Sequence, residues 1–168
     1  MNNKGVICPI EFDESLKLHK IEFSVPGKPF GKQRPRVVTR GGFARAYTPK
    51  ETVNYENLVR KKYSETVGNL KLEGPIKADI EGVFPIPKSA TKKQKQLMEQ
   101  GRILHTKKPD CDNIAKSVLD ALNDIAYDDD SQIFKLSVNK VYGEQPKTKI
   151  TLEEMRKENY YDWTRWCL

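Results

Sequence analysis

The sequence predicts an α/β domain, a small mixed sheet with helices in the order β-α-β-α-α-β-β. Two patterns carry that prediction. Apolar residues alternate over His19–Val25, Ile76–Phe84 and Gln132–Tyr142, which is the signature of half-buried strands. Between them lie segments with helical apolar spacing and recognisable helix starts. At 168 residues the chain fits one domain, since domains commonly run to about 100–150 residues. No repeat, low-complexity stretch or linker divides it. We take residues 1–168 as a single domain, with a core over about 19–152 and a tail over 153–168.

The elements follow in order. Ile21, Phe23 and Val25 share one side of a first strand that Pro26-Gly27 ends. Residues 26–49 are rich in Pro and Gly and read as a long loop with room for a hairpin around Gly41-Gly42. Thr48, Pro49 and Glu51 make a capping-box start for a helix running to about Val67, ahead of Gly68-Asn69. Ile76, Ala78, Ile80, Gly82 and Phe84 alternate with polar residues in a second strand stopped by Pro85 and Pro87. Thr91 to about Gln100 is a short polar helix, and Gly101–Pro109 a basic loop. Asp112 or Asn113 caps a third helix, to about Asn123, whose apolar face is Ile114, Val118, Leu119 and Leu122. The strand Gln132–Tyr142 follows, with Phe134, Leu136 and Val138 on one face. After a turn at Glu144–Pro146, Lys147–Leu152 is expected to return as its antiparallel partner.

Composition excludes several classes. No run approaches the ~20 apolar residues needed to span a bilayer, and the first residues lack a signal-peptide layout. The expectation is a soluble cytoplasmic protein with no membrane partner. Cys8, Cys111 and Cys167 are odd in number and scattered, with no zinc spacing to His19 or His105, so they read as free thiols.

Charge is unevenly placed. Lys20 to Lys62 holds eleven bases against three acids, a net of +8, and Pro87 to Lys108 holds seven against one, a net of +6. Asp110 to Asp130 then reverses sign, with seven acids facing Lys116 alone, a net of −6. Basic flanks around a concentrated acidic patch suit a phosphate polymer gripped around a cation.

The acidic segment carries the chemistry. Asp110 and Asp112 lie two apart in an extended approach to the third helix, so both carboxylates point to one side. Lys116 follows Asp112 by one turn on the same face. A helix of about eleven residues is roughly 16 Å long, and the seven residues Asp124–Asp130 reach roughly 23 Å when extended. Chain length therefore lets Asp130 return beside Asp110 and close a three-carboxylate cage. Hard oxygen ligands of that kind suit Mg²⁺, or Mn²⁺ in its place. Metal-assisted phosphodiester hydrolysis is the matching chemistry, with Lys116 near the phosphate. Blander uses compete: Asp112 as a helix cap, Asp120 as an ion-pair partner of Lys116, and Asp128 with Asp129 as a solvated turn.

The runs Lys108-Pro-Asp-Cys-Asp-Asn-Ile-Ala-Lys116, Leu119-Asp-Ala-Leu-Asn123 and Asp129-Asp-Ser-Gln-Ile133 resemble the signature of RusA-like Holliday junction resolvases. Gly27-Lys-Pro-Phe-Gly-Lys-Gln-Arg-Pro-Arg36 and Tyr47-Thr-Pro49 look like elements common in phage and prophage members of that family. The resemblance runs from about Ile21 to Tyr142. It implies a RusA-like fold and a homodimeric, Mg²⁺-dependent endonuclease that resolves four-way DNA junctions by paired symmetric nicks. By motif position it makes Asp110, Asp112 and Asp130 the metal carboxylates and Lys116 the catalytic lysine. Asp129 adjoins Asp130 and competes with it as ligand. Lys32, Arg34, Arg36, Arg40, Arg45, Lys107 and Lys108 are the expected DNA contacts, mostly to phosphates. Phe43 and Tyr47 are candidates to stack on a splayed base, against the more ordinary role of packing at a helix start. The alternatives are a nuclease for flaps, forks or other branched DNA, and a non-catalytic branched-DNA-binding protein.

Overall fold

The computed structural model describes residues 17–40 and 43–155. Six strands and three helices follow in order: β1 (Lys17–Pro26), β2 (Arg36–Arg40), β3 (Phe43–Tyr47), α1 (Lys50–Val67), β4 (Ile76–Pro85), α2 (Lys92–Glu99), α3 (Cys111–Leu122), β5 (Ile133–Gly143) and β6 (Lys147–Met155). The predicted order holds, and β2–β3 is the hairpin for which the long loop left room.

Four strands form one mixed sheet in the order β1-β6-β4-β5. β6 runs antiparallel to both β1 and β4, while β4 and β5 are parallel, joined through α2 and α3. The sequence-based pairing of β6 with β5 is therefore corrected: β4 lies between them. Burial explains the order. Ile76, Ala78, Ile80 and Phe84 of β4, and Ile150 and Leu152 of β6, are fully buried, so these strands take the centre. β5 keeps Phe134 and Leu136 exposed and takes an edge.

α1 and α3 close the core. Val59 and Tyr63 of α1 and Ile114, Val118 and Leu122 of α3 are fully buried among the sheet residues. The Tyr63 ring meets Phe23 edge-on at 5.5 Å, and its hydroxyl donates to the Leu70 carbonyl at 2.6 Å. Such a pairing combines apolar burial with a satisfied polar tip. Gly68 ends α1 at φ +77°, a conformation that favours glycine, with its N–H on the Ser64 carbonyl.

Two helix starts differ from expectation. α1 has Pro49 at its N-cap with no side-chain cap, so the Thr48/Glu51 capping box does not form. The Pro49 carbonyl instead accepts from Thr52 N–H at 3.0 Å. α3 is capped by position at Asp110, two residues before the nearer predicted cap, and again without a side-chain cap. α2 carries the one capping box of the three helices, between Thr91 and Gln94. The tail candidates Tyr160–Trp166, with Cys8 and Cys167, lie outside the described residues. Cys111 is a half-buried free thiol. Among the described residues no helix is long and apolar enough to cross a membrane.

Candidate functional site

α3 organises the acidic segment. Asp110 sits at its N-cap in extended conformation, and its carbonyl accepts from Ile114 N–H at 3.1 Å. The carboxylates of Asp110 and Asp112 are exposed and spent on no cap. A helix N-terminus favours negative charge, so holding two carboxylates there is electrostatically inexpensive. Lys116 is exposed one turn beyond Asp112 and, among the described residues, meets no acidic partner. Asp120 does not pair with it. Asp120 binds the Lys32 ammonium instead, together with Glu56 at 3.2 Å.

That pair gives Lys32 a place in the fold besides the DNA contact expected of it. Burial alone would lower its pKa, but hydrogen bonds and charge from Asp120 and Glu56 outweigh burial and raise it. Lys32 is thus a structural cation. Its backbone N–H donates to the Asn113 carbonyl at 2.8 Å, and the Ser117 hydroxyl donates to the Phe30 carbonyl at 2.7 Å. Asn113, Ser117 and Asp120 form an i, i+4, i+7 stripe that binds the Phe30–Lys32 segment along α3. Gly31 makes this approach possible. A Cβ there would fall 2.5 Å from the Pro109 Cβ.

A cavity of about 570 Å³ opens where this segment meets the start of α3. Lys28, Phe30, Gln33, Lys108, Asp110 and Asn113 are among its lining residues. Lys28, Lys108 and two side-chain amides beside a free carboxylate give a place where a phosphate and a cation would meet. The approach segment, with its cis Lys108–Pro109 bond, is anchored by Lys140 of β5. The Lys140 ammonium donates to the carbonyls of Lys107 at 2.9 Å and Pro109 at 3.0 Å. His105 wedges the same loop, stacked on Phe84 at 3.8 Å and edge-on to Tyr142 at 5.1 Å. Burial, then the charges of Lys140, Lys28 and Lys107, hold the His105 pKa below its ordinary value.

Asp129 and Asp130 lie elsewhere. Asp129 caps a short 3-10 turn over Asp130–Gln132, its carboxylate accepting from Ser131 N–H at 2.9 Å. Hydrogen bonding from Ser131 keeps that carboxyl below its ordinary pKa. Asp130 is exposed and makes no such bond. Gln132 donates to the carbonyls of Leu72 and Gly74, just before β4 begins. The Tyr127 hydroxyl donates to the Leu119 carbonyl at 2.9 Å, near the far end of α3. Burial first, and then the charges of Asp130, Asp120 and Asp129, push the Tyr127 phenol up.

The two halves of the acidic set are therefore at opposite ends of α3. One end meets Lys140, well along β5, and the other meets the residues that begin β4 and β5. α3 has twelve residues, about 18 Å at 1.5 Å each. Consistently, no three His, Cys, Asp or Glu side chains among the described residues are close enough to hold a metal ion. The donor chemistry fits a hard divalent cation, since Asp110, Asp112 and Asp130 keep exposed oxygens. A single chain does not gather them.

Of the expected DNA contacts, Lys108 lines the cavity, and Lys107 lies in the Lys140-anchored loop. Arg34, Arg36 and Arg45 are exposed, the last two on the β2–β3 hairpin. Arg40 is register partner of Phe43 there. Lys28, Gln33, Asn113 and Lys140 were not singled out from sequence. The first three sit inside the motifs already quoted, whereas a strand lysine such as Lys140 carries no local signal.

The family profile described as Endodeoxyribonuclease RusA matches residues 26–153, from the last residue of β1 into β6. The chain belongs to the RusA endodeoxyribonuclease family. A relative from Bacillus subtilis (strain 168), named Uncharacterized protein YqaN, is 36% identical over 137 residues. That alignment covers 80% of this chain and 96% of the relative. The match takes in every element except most of β1. It includes the α3 carboxylates, the Asp129–Asp130 turn and the hairpin, so as a RusA-family chain this protein is a nuclease.

Proposed function

We propose that this protein is a Mg²⁺-dependent endonuclease that resolves four-way DNA junctions as a homodimer, by paired symmetric nicks. The observation that carries the reading is the pair Asp110 and Asp112 at the start of α3. Both are unspent and exposed, beside Lys116 and a cavity bordered by Lys28 and Lys108. Carboxylates serving only structure would be capping or paired, as Asp129 and Asp120 are.

The separation of the halves supports the dimer. Asp110 and Asp112 of one copy need a third carboxylate that their own chain keeps a helix length away. A two-fold partner would present its Asp130 to them and receive the same in return, because an isologous contact is reciprocal. Leu136, exposed on the edge strand β5 near that turn, offers apolar surface for such a contact. The apolar side of α3 does not, as it is buried in its own core. Asp129 is engaged with Ser131, which favours Asp130 as the ligand.

Asp110 and Asp112, with Asp130, would hold Mg²⁺ or Mn²⁺. When bound, the ion supplies an acidified water and neutralises charge on the phosphorus oxygens. The chain's own groups do the rest. Lys28 and Lys108 draw the backbone to the cavity, Asn113 offers an amide to a phosphate oxygen, and Lys116 places positive charge where the transition state gains negative charge. Lys140 and the Gly31 contact fix the loop that carries Asp110.

The test is nicking of a labelled four-way junction with Mg²⁺, beside flap and linear duplex substrates, for wild type and Asp112→Asn, with gel shifts in EDTA. Paired nicks in opposed strands by wild type, and binding without cutting by the variant, are expected. Cutting that prefers flaps or forks replaces the junction assignment, and binding with no cutting by either protein removes the enzyme assignment.

A further inference from the structure

The β2–β3 hairpin is a two-stranded sheet of its own, and among the described residues no other strand or helix packs closely on it. An isolated hairpin is at best marginally stable, so this one is not explained by core packing. Its register pairs Arg36 with Tyr47. Strand alternation puts Phe43, Arg45 and Tyr47 on one face of β3, and Arg36 shares that face through its pairing with Tyr47. Among the described side chains that face carries two guanidinium groups and two aromatic rings. Phe43, at the turn end, is 83% exposed, and Tyr47 is 45% exposed. At that exposure Phe43 does not pack as a helix-start staple. Leaving a phenylalanine so exposed costs the free chain apolar hydration that folding ordinarily removes.

We infer that this face of the hairpin reads unstacked bases at the branch point, with Phe43 stacking on an unpaired or splayed base while Arg36 and Arg45 hold the flanking phosphates. The inference rests on the branched-DNA reading above and adds the residue that recognises the branch. The occupant follows from chemistry. Guanidinium groups call for an anionic partner, and an exposed aromatic ring on the same face calls for one that also presents flat π-faces. DNA offers both, but a continuous duplex keeps its base faces stacked. Only a branch, a gap or an end exposes them. The arginines therefore supply affinity for any DNA, and Phe43 supplies preference for branched DNA.

The test compares wild type, Phe43→Ala, Phe43→Tyr and Arg45→Ala, binding in EDTA a four-way junction with 2-aminopurine at the branch and a linear duplex of the same sequence. Wild type is expected to raise branch fluorescence as the base leaves its neighbour. Phe43→Ala should lose that rise and about tenfold of junction affinity, with a much smaller loss on duplex. Phe43→Tyr should restore both. Arg45→Ala should weaken junction and duplex alike, with a shallower salt dependence. Equal losses on both substrates for Phe43→Ala, or an unchanged fluorescence rise, overturn the inference. A wild type with no preference for the junction over duplex removes the branched-DNA reading itself, a different failure.

Discussion

Asp110 and Asp130 stand at opposite ends of α3, one at its N-cap and the other in the turn beyond its C-terminus, where the carbonyl of Leu119 is held by Tyr127. Both are exposed carboxylates of a RusA-family nuclease, and the helix between them is rigidly packed in the core. No modest loop movement brings them together. On the reading proposed above, a second copy of the chain completes the acidic site.

Lys32 illustrates how a basic residue near the arginines proposed to contact DNA also serves the fold. Its ammonium serves Asp120 and Glu56 across the α1–α3 seam, with its side chain 29% exposed. Lys32→Met should destabilise the fold by about 1 kcal/mol, discounted for partial exposure, because two acids lose their cation. Arg34→Ala should leave stability unchanged and weaken DNA binding with a smaller salt slope. Urea denaturation and salt-dependent gel shifts separate the two behaviours.

His105 predicts a pH dependence of stability. Its folded pKa lies below its ordinary value near 6.5, chiefly through burial and then through Lys140, Lys28 and Lys107. The unfolded chain therefore binds the proton more readily than the folded one. Stability from this group is complete above its unfolded pKa and falls as pH drops through and below that value. Denaturation midpoints should decline from about pH 7 to 5, and His105→Phe, which preserves stacking without titrating, should flatten the decline. An equal slope in the variant assigns the effect to other groups.

Gly31 lets the Phe30–Lys32 segment close on the start of α3. Gly31→Ala would place a methyl 2.5 Å from Pro109 and push on the loop that carries Asp110. Nicking should fall on the order of tenfold to a hundredfold, as displaced catalytic groups typically cost. Junction binding in EDTA and secondary structure by circular dichroism should persist.

Much of this was legible in the sequence, and the gaps have physical causes. The strands β1, β4 and β5 and the end of α1 followed from alternation and from Gly68, because burial imposes period on a chain. The place of β4 between β5 and β6 did not, since alternation says which face is buried but not which strand is neighbour. The spacing of Asp112 and Lys116 was readable because helix geometry fixes residues four apart. Asp112 itself stands in the first turn of α3 and not in the extended approach expected for it with Asp110. The position of Asp130 was not readable. Chain length permitted a return to Asp110, but Gln132 ties that turn to Leu72 and Gly74, at the other end of the sheet. The ion pairs of Lys32 were not legible because its acidic partners are 24 and 88 positions away.

Subunit mixing tests the central claim most directly. Asp112→Asn and Asp130→Asn are purified separately, mixed under conditions that let subunits exchange, and assayed for nicking of a four-way junction with Mg²⁺. Each variant alone has no complete site. In a mixed dimer whose sites combine both copies, one site receives both substitutions and the other is intact. Nicking should therefore return to about a quarter of the wild-type site concentration, as single-strand nicks without paired resolution. If the mixture stays as inactive as its parts while exchange is shown to occur, each site is contained in one chain and the shared-site account is wrong.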